Sequence, residues 1–245
     1  MKPFLILQLR PIDLASDNEF EAFLTYGGLT RYEVKRVRME KEGISNINLA
    51  NYSGVILGGG PSNVSDDEDK KHRYQKQFES NLQNLLNKVF ENDFPFLGTC
   101  YGMGALVKHQ GGEVSKEKYS ESVGLVTINL TKEGRIDKLT NGLPVKFSAY
   151  GGHKEACQIL PTRAILLASS DNCPVQMIRF GANIYATQFH TELDEDGIGI
   201  RINIYKDHGY FSPEDAEKLI NTSKKSHVTV PMNILGQFVK MYKRK

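Results

Sequence analysis

The chain has no tryptophan, three cysteines among 245 residues and almost no net charge. Cys100, Cys157 and Cys173 can form at most one bridge and leave a thiol over, so a disulfide scaffold is excluded and the core must be hydrophobic. Lys and Arg together number 31 against 29 Asp and Glu, a net charge of +2. No strong field is available to steer nucleic acid or an acidic membrane surface, and neither is expected as a partner. Long apolar runs are missing as well. Phe4–Leu9, FLILQL, is far too short to span a bilayer and lacks a signal-peptide cleavage site, so it reads as the first buried strand of a cytoplasmic protein. No internal repeat, low-complexity stretch or interdomain linker is visible, and a single domain over residues 1–245 is expected.

What is present alternates. Phe4–Arg10 is strand-like, Asp17–Tyr26 helix-like and closed by Gly27-Gly28, Tyr32–Val37 strand-like, and Ser53–Leu57 a short buried strand. This is the rhythm of a parallel sheet covered by helices. Between Lys71 and Glu91 the apolar residues Tyr74, Phe78, Leu82, Leu85, Leu86 and Val89 recur every three or four positions and predict one face of a long helix. The charged stretch Ser65–Lys71 ahead of it reads as a solvated loop and helix start. Phe94–Leu97 is another buried strand, and Tyr101–His109 a helix. From Val123 to Phe189 short β-rich runs separated by turn residues predict a small antiparallel extension of the parallel core. Residues 196–245 turn helical again, with Ser212-Pro213 and Pro231 as start signals. The basic tail Lys240–Lys245 reads as a solvated helix end.

The most informative segment is Phe94–Gly104. A buried strand runs into Gly98-Thr99-Cys100-Tyr101-Gly102 and then into a helix, a nucleophile elbow with sulfur in place of the serine hydroxyl. So tight a turn strains the central residue, and only glycines two positions either side avoid a clash. The helix N-terminus is expected to favour thiolate over thiol. A thiol needs a base. Of the six histidines, His153 follows Gly151-Gly152 in a turn and is a candidate for a site's rim. His190 ends the strand Ile184–Phe189, with Glu192 two residues on, where an extended segment puts it on the same side. Such a carboxylate would fix the imidazole tautomer and stabilise the imidazolium. Gly58-Gly59-Gly60-Pro61 follows the strand Val55–Leu57. No Lys-Ser/Thr comes after it, so it is not a P-loop but a candidate oxyanion loop, with donors from Gly59 and from Tyr101.

Together these three blocks resemble the class I (triad) glutamine amidotransferases, and most closely the stand-alone GMP synthase-like domains. The matching residues are Gly58-Gly59-Gly60-Pro61, Gly98–Met103 and Gln188-Phe189-His190-Thr191-Glu192, in a likeness that spans about residues 50–195. The resemblance implies a three-layer flavodoxin-like α/β sandwich with a mostly parallel sheet. It implies Cys100 as nucleophile, His190 as base and acid, Glu192 as orienter, and a γ-glutamyl thioester formed from glutamine. Tyr150-Gly151-Gly152-His153-Lys154-Glu155 looks like the family's turn beside the substrate, so that Gly58, Gly60, Tyr150, Gly151, His153 and Gln188 are expected around the small-molecule substrate. No metal and no cofactor are expected in the chain. ATP would enter only through a separate synthetase, since no Ser-Gly-Gly-Val-Asp-Ser loop is present.

Three departures stand out: Gly104 where the family commonly has Gln, Thr191 for Pro, and Ala186 for Gly. The loss of a side chain at Gly104 predicts a wider pocket, weak binding of free glutamine, and improvement by Gly104→Gln. Three functions therefore stand side by side. They are a glutaminase feeding a separate synthetase, a γ-glutamyl peptide or amine hydrolase with the same triad, and a binding module with an idle triad.

Overall fold

The structure is a computed structural model describing residues 2–44 and 46–244. Eleven strands are present among the described residues: β1 (Phe4–Gln8), β2 (Val34–Arg38), β3 (Gly54–Leu57), β4 (Phe96–Thr99), β5 (Glu113–Ser115), β6 (Glu121–Leu130), β7 (Lys146–His153), β8 (Ala156–Ile159), β9 (Ile165–Ser169), β10 (Met177–Phe180) and β11 (Ile184–Thr187). Nine form one sheet in the order β2-β1-β3-β4-β11-β10-β9-β6-β7, while β5 and β8 make a separate antiparallel ribbon. The strands from β2 to β11 in that order are mutually parallel. The remaining four continue the sheet antiparallel. The antiparallel part is thus not small. It supplies nearly half of the same sheet, because β10 pairs directly with the last parallel strand.

The helices are α1 (Asp13–Gly27), α2 (Met39–Glu42), α3 (Arg73–Glu91), α4 (Tyr101–His109), α5 (Lys132–Ile136), α6 (Glu195–Tyr205), α7 (Ala216–Lys224) and α8 (Val230–Tyr242). Strands β1, β3, β4 and β11 are buried along their whole length, as a parallel sheet covered on both faces requires. Alternate residues divide between the faces. Leu5, Leu7, Val55 and Leu57 join Phe78, Leu82, Leu86 of α3 and Leu106 of α4 in one core. Phe4, Ile6, Ile56 and Leu97 face Phe20 and Phe23 of α1 and Ile234 and Phe238 of α8 in the other. A third cluster joins Tyr150 of β7 to Leu193, to Ile198 and Ile202 of α6, to Ala216 of α7 and to Val228. It lays the α6–α7 segment over one end of the sheet.

Helix α1 starts four residues earlier than its sequence pattern suggested, and it ends at Gly28, whose φ of 61° and backbone donation to Leu24 and Thr25 stop it. The predicted long helix is present as α3, its six periodic apolar residues buried or packed against the core. Burial decides the cost of truncation here. Ile234→Ala, at a site 0% exposed, should lower unfolding free energy by about 2–5 kcal/mol, while Tyr32→Ala, at 98% exposed, should change it by less than about 0.5 kcal/mol. Urea denaturation of the two variants checks this.

Candidate active site

Cys100 sits between β4 and α4 with φ 52° and ψ −95°, a left-handed backbone that a side chain rarely adopts. Its neighbours explain how the turn closes. A Cβ on Gly98 would lie 2.9–3.0 Å from the backbone of Gly102, and one on Gly102 would lie 3.1 Å from the Leu57 carbonyl. Glycine is required at both positions by backbone contact. The Cys100 amide donates to the Thr187 carbonyl at 2.8 Å, which ties the elbow to the end of β11.

From that strand end comes the base. β11 stops at Thr187, so His190 lies in a turn beyond the strand rather than at its tip. The Thr187 hydroxyl donates to the Phe189 carbonyl at 2.8 Å, and the His190 amide donates to the Tyr150 carbonyl at 3.0 Å. The turn still aims His190 Nδ1 at Glu192 Oε1, 2.8 Å away. A carboxylate only accepts, so Nδ1 carries the proton and Nε2 is left as the basic nitrogen.

Sulfur and imidazole share one small space. A Cβ on Gly59 would meet His190 Cε1 at 2.7 Å, Cys100 Cβ at 3.2 Å and Arg10 Nη2 at 3.3 Å, so only glycine fits between them. The Gly58 amide is spent on the Leu7 carbonyl at 2.9 Å, whereas that of Gly59 has no backbone carbonyl partner among the described residues. The Tyr101 amide opens α4 directly after Cys100.

Three buried charges, Arg10, Glu19 and Arg201, stand behind Cys100, His190 and Glu192. Glu19 of α1 accepts from Arg10 Nε at 2.7 Å and from Gln8 Nε2 at 2.9 Å. Arg201 of α6 donates through Nη1 to Glu192 Oε1 at 3.1 Å and brings Nη2 to 3.8 Å from Glu19 Oε1. Burial alone would raise the Glu192 carboxyl, but His190, Arg201 and Arg10 hold it well below the usual carboxylate range. Burial lowers the His190 imidazole, against the opposing pull of Glu192. Burial also pushes the Cys100 thiol up to about 12, with Arg10 working against it. At neutral pH the resting pair is therefore thiol and neutral imidazole. The helix N-terminus does not make a standing thiolate here, because desolvation outweighs it.

At Cys100 the cleft divides into two arms that share Gly60, Cys100, Gly152 and Tyr210. One arm holds His190 and Gly151 and is walled by Arg10, Arg201, Leu193, Ile198, Tyr205 and Phe211. The other holds Tyr101, Gly104, His153, Lys154, Glu155 and Gln188. The sequence-selected residues are thus split. Gly151 lies in the first arm, Gly104, His153 and Gln188 in the second, and Gly60 in both. Tyr150 and Gly58 do not line the cleft. The Tyr150 hydroxyl donates to the Ser223 and Ser226 carbonyls, and a Cβ on Gly58 would meet Glu19 Oε2 at 2.8 Å. His153 reaches the second arm, but both ring nitrogens are engaged, Nδ1 with the Glu155 carbonyl and Nε2 with Glu121, each at 2.9 Å.

The space beside Gly104 is not open. A Cβ there would meet Val64 Cγ2 at 3.0 Å and Glu155 Oε1 at 3.3 Å. Glu155 fills the position, its two oxygens accepting the amides of Val64 and Ser65 at 2.9 Å each. The expectation of a wider pocket is overturned by a side chain distant in sequence. The charged stretch before α3 is not wholly solvated either. Lys71 is buried between Glu68 and Glu79, and Glu79 also accepts from the Tyr101 hydroxyl at 2.9 Å.

Arg10, Glu19, Arg201 and the segment carrying Tyr210 were not found from sequence, and Glu155 was read only as the last residue of the turn Tyr150–Glu155. No spacing marks them: Arg10 and Glu19, like Glu192 and Arg201, stand nine residues apart across a change of element, and Glu155 meets Val64 and Ser65 from 91 and 90 residues away.

The family model described as glutamine amidotransferase class-I matches residues 14–202. The glutamine-hydrolyzing GMP synthase of Thermosipho africanus is 30% identical over 193 residues, 73% of this chain, and the chain spans only 34% of that protein's length. A separate glutamine-hydrolyzing GMP synthase subunit from Pyrococcus furiosus is 33% identical over 156 residues, covering 62% of this chain and 74% of that one. A glutamine amidotransferase from Thermotoga maritima, solved as a crystal structure, shares the fold with a TM-score of 0.79 at 20% identity over 100% of both chains.

Alkylation tests the thiol state. Iodoacetamide should modify Cys100 before the buried Cys157 and Cys173 (1% and 0% exposed), at a rate that rises about tenfold per pH unit between pH 7 and 9. A rate plateau near neutral pH would show a preformed ion pair instead. Gly104→Gln should lower the melting temperature by several degrees, as about 1–3 kcal/mol of overpacking implies, and should not improve turnover. Thermal melts and steady-state rates of that variant decide it.

Proposed function

The chain belongs to the class I glutamine amidotransferase family, and from that premise we propose that it hydrolyses a γ-glutamyl amide, glutamine included, through Cys100, His190 and Glu192. The observation that carries the reading is the convergence at Gly59. Nucleophile, base and oxyanion donor meet around one Cα, with Glu192 fixing the base's tautomer behind them.

The residues supply each step. On attack, His190 Nε2 takes the Cys100 proton and the sulfur adds to the γ-carbonyl carbon. The amides of Gly59 and Tyr101 receive the oxyanion. The low-lying Glu192 carboxylate, held there by His190, Arg201 and Arg10, stabilises the transient imidazolium. His190 then returns the proton to the departing nitrogen, leaving a γ-glutamyl thioester on Cys100. Water, deprotonated by the same imidazole, cleaves the C–S bond and restores the thiol with release of glutamate. None of these steps calls on a metal or an organic cofactor.

The similarity to relatives named as one subunit of a glutamine-hydrolyzing GMP synthase supports a separate synthetase as the receiver of the ammonia. ATP belongs to that partner's chemistry rather than to this chain. Among the described residues no helix is long and apolar enough to cross a membrane.

A glutamine analogue carrying an electrophile at the amide position should label Cys100 and spare Cys157 and Cys173, as peptide mass mapping would show. Equal labelling of all three would remove the triad assignment. Cys100→Ala should abolish covalent turnover, and Glu192→Gln should lower kcat by roughly 10²–10⁴-fold while leaving measurable activity. His190 must be neutral to act, and burial holds it below its ordinary value of 6.5, so the acid limb of kcat/KM should fall below that pH. Glu192 opposes the shift, so Glu192→Gln should move the limb to still lower pH. A limb that moves upward would contradict the arrangement.

A further inference from the structure

The two arms of the cleft cannot play the same part. His190 must reach the nitrogen that departs, so the arm containing His190 receives the leaving group, and the arm at Gln188 and Glu155 receives the acyl chain. Ammonia needs no walls. Yet the leaving-group arm is a walled recess that opens to solvent, with a cavity volume of about 50 Å³. Leu193, Ile198 and Phe211 give it an apolar side, and Tyr205 and Tyr210 an aromatic one.

Its polar side is built from two buried guanidiniums, Arg10 at 3% exposed and Arg201 at 6%. Both converge on Glu19 Oε1, at 2.7 and 3.8 Å. Arg10 Nη1 donates to the Tyr205 hydroxyl at 3.4 Å, and its Nη2 turns toward the space that a Cβ on Gly59 would fill. Arg201 Nε and Nη2 are buried without a hydrogen-bond partner, and so is Glu192 Oε2. Buried donors left unpaired cost stability, and a ligand that satisfies them recovers it. Arg10 and Arg201 line the arm opposite its apolar side.

We propose that this arm is a binding site for an amine leaving group carrying both an apolar body and a carboxylate, so that the preferred substrates are γ-glutamyl derivatives of hydrophobic amino acids. The inference rests on the proposed γ-glutamyl amide hydrolysis and names its leaving group. The bonds balance as for glutamine. The γ-carbonyl C–N bond breaks as the C–S bond forms on Cys100, the thiol proton travels through His190 to the nitrogen, and the free amino acid departs before water cleaves the thioester. Its carboxylate faces Arg10 and Arg201 while its side chain lies against Phe211 and Leu193.

The test compares kcat/KM for glutamine, γ-glutamylphenylalanine and γ-glutamylphenethylamine, the last keeping the ring without the carboxylate. The dipeptide should exceed glutamine by about tenfold or more, with the phenethylamide between them. Arg10→Gln should bring the dipeptide-to-phenethylamide ratio close to one. If that variant does not fold, with Glu19 left buried beside fewer donors, Phe211→Ala gives an independent readout: the dipeptide-to-glutamine ratio should fall about tenfold, chiefly through KM. Glutamine turned over at least as well as both derivatives would overturn the leaving-group site and leave amide hydrolysis standing. No turnover of any of the three, with Cys100 spared by the electrophilic analogue, would overturn the underlying reading and this inference with it.

Discussion

Two glycines in backbone contact hold the reacting sulfur where it is. Because Gly98 and Gly102 leave less than 3.1 Å between one residue's missing Cβ and the other's backbone, the chain can reverse from β4 into α4 within a single residue, and Cys100 is forced to positive φ. The cost of that conformation, of order 1–3 kcal/mol, is offset by the sheet around it. The Cys100 amide is fixed to β11, Gly102 is packed on β3, and the strand itself is fully buried. Everything else at the site, from the Gly58–Gly60 loop to the seat of His190, is arranged around a sulfur whose position the parallel sheet dictates.

Electrostatics supply the second condition. Glu192 and Glu19 are both fully buried carboxylates, tolerable because Arg10 and Arg201 accompany them. Removing one partner from such a set costs about 3–5 kcal/mol, far more than an exposed ion pair is worth. The set leaves His190 neutral and ready to accept a proton, since Glu192 raises the imidazole while Arg201 and Arg10 lower it along with burial.

How much of this could be read from the sequence follows from distance along the chain. The elbow, the glycine loop and the His190–Glu192 pair each lie within a few consecutive residues, and each follows a buried strand, so their spacing alone carried the geometry. The parallel core was legible for the same reason, as short apolar runs alternating with helical periodicity. The antiparallel strands were visible as texture, but nothing local specified that β10 would pair with β11 and continue the same sheet. Arg10, Glu19 and Arg201 meet only because β1, α1 and α6 converge, and singly each looks like a surface charge. Gly104 misled for a related reason: an absent side chain suggests a void, whereas Glu155, from beyond the end of β7, occupies it.

The buried charge chain also sets an order of assembly. Arg10 is synthesised well before Arg201, and the Glu192 carboxylate leans on both. On the ribosome, a nascent chain that has already made its elbow holds a strained cysteine with no base beside it. Once His190 and Glu192 are added, the carboxylate still lacks the guanidinium that Arg201 of α6 brings to it. Until α6 closes over the sheet, the Glu192 carboxylate is without one of the two guanidiniums that hold it charged.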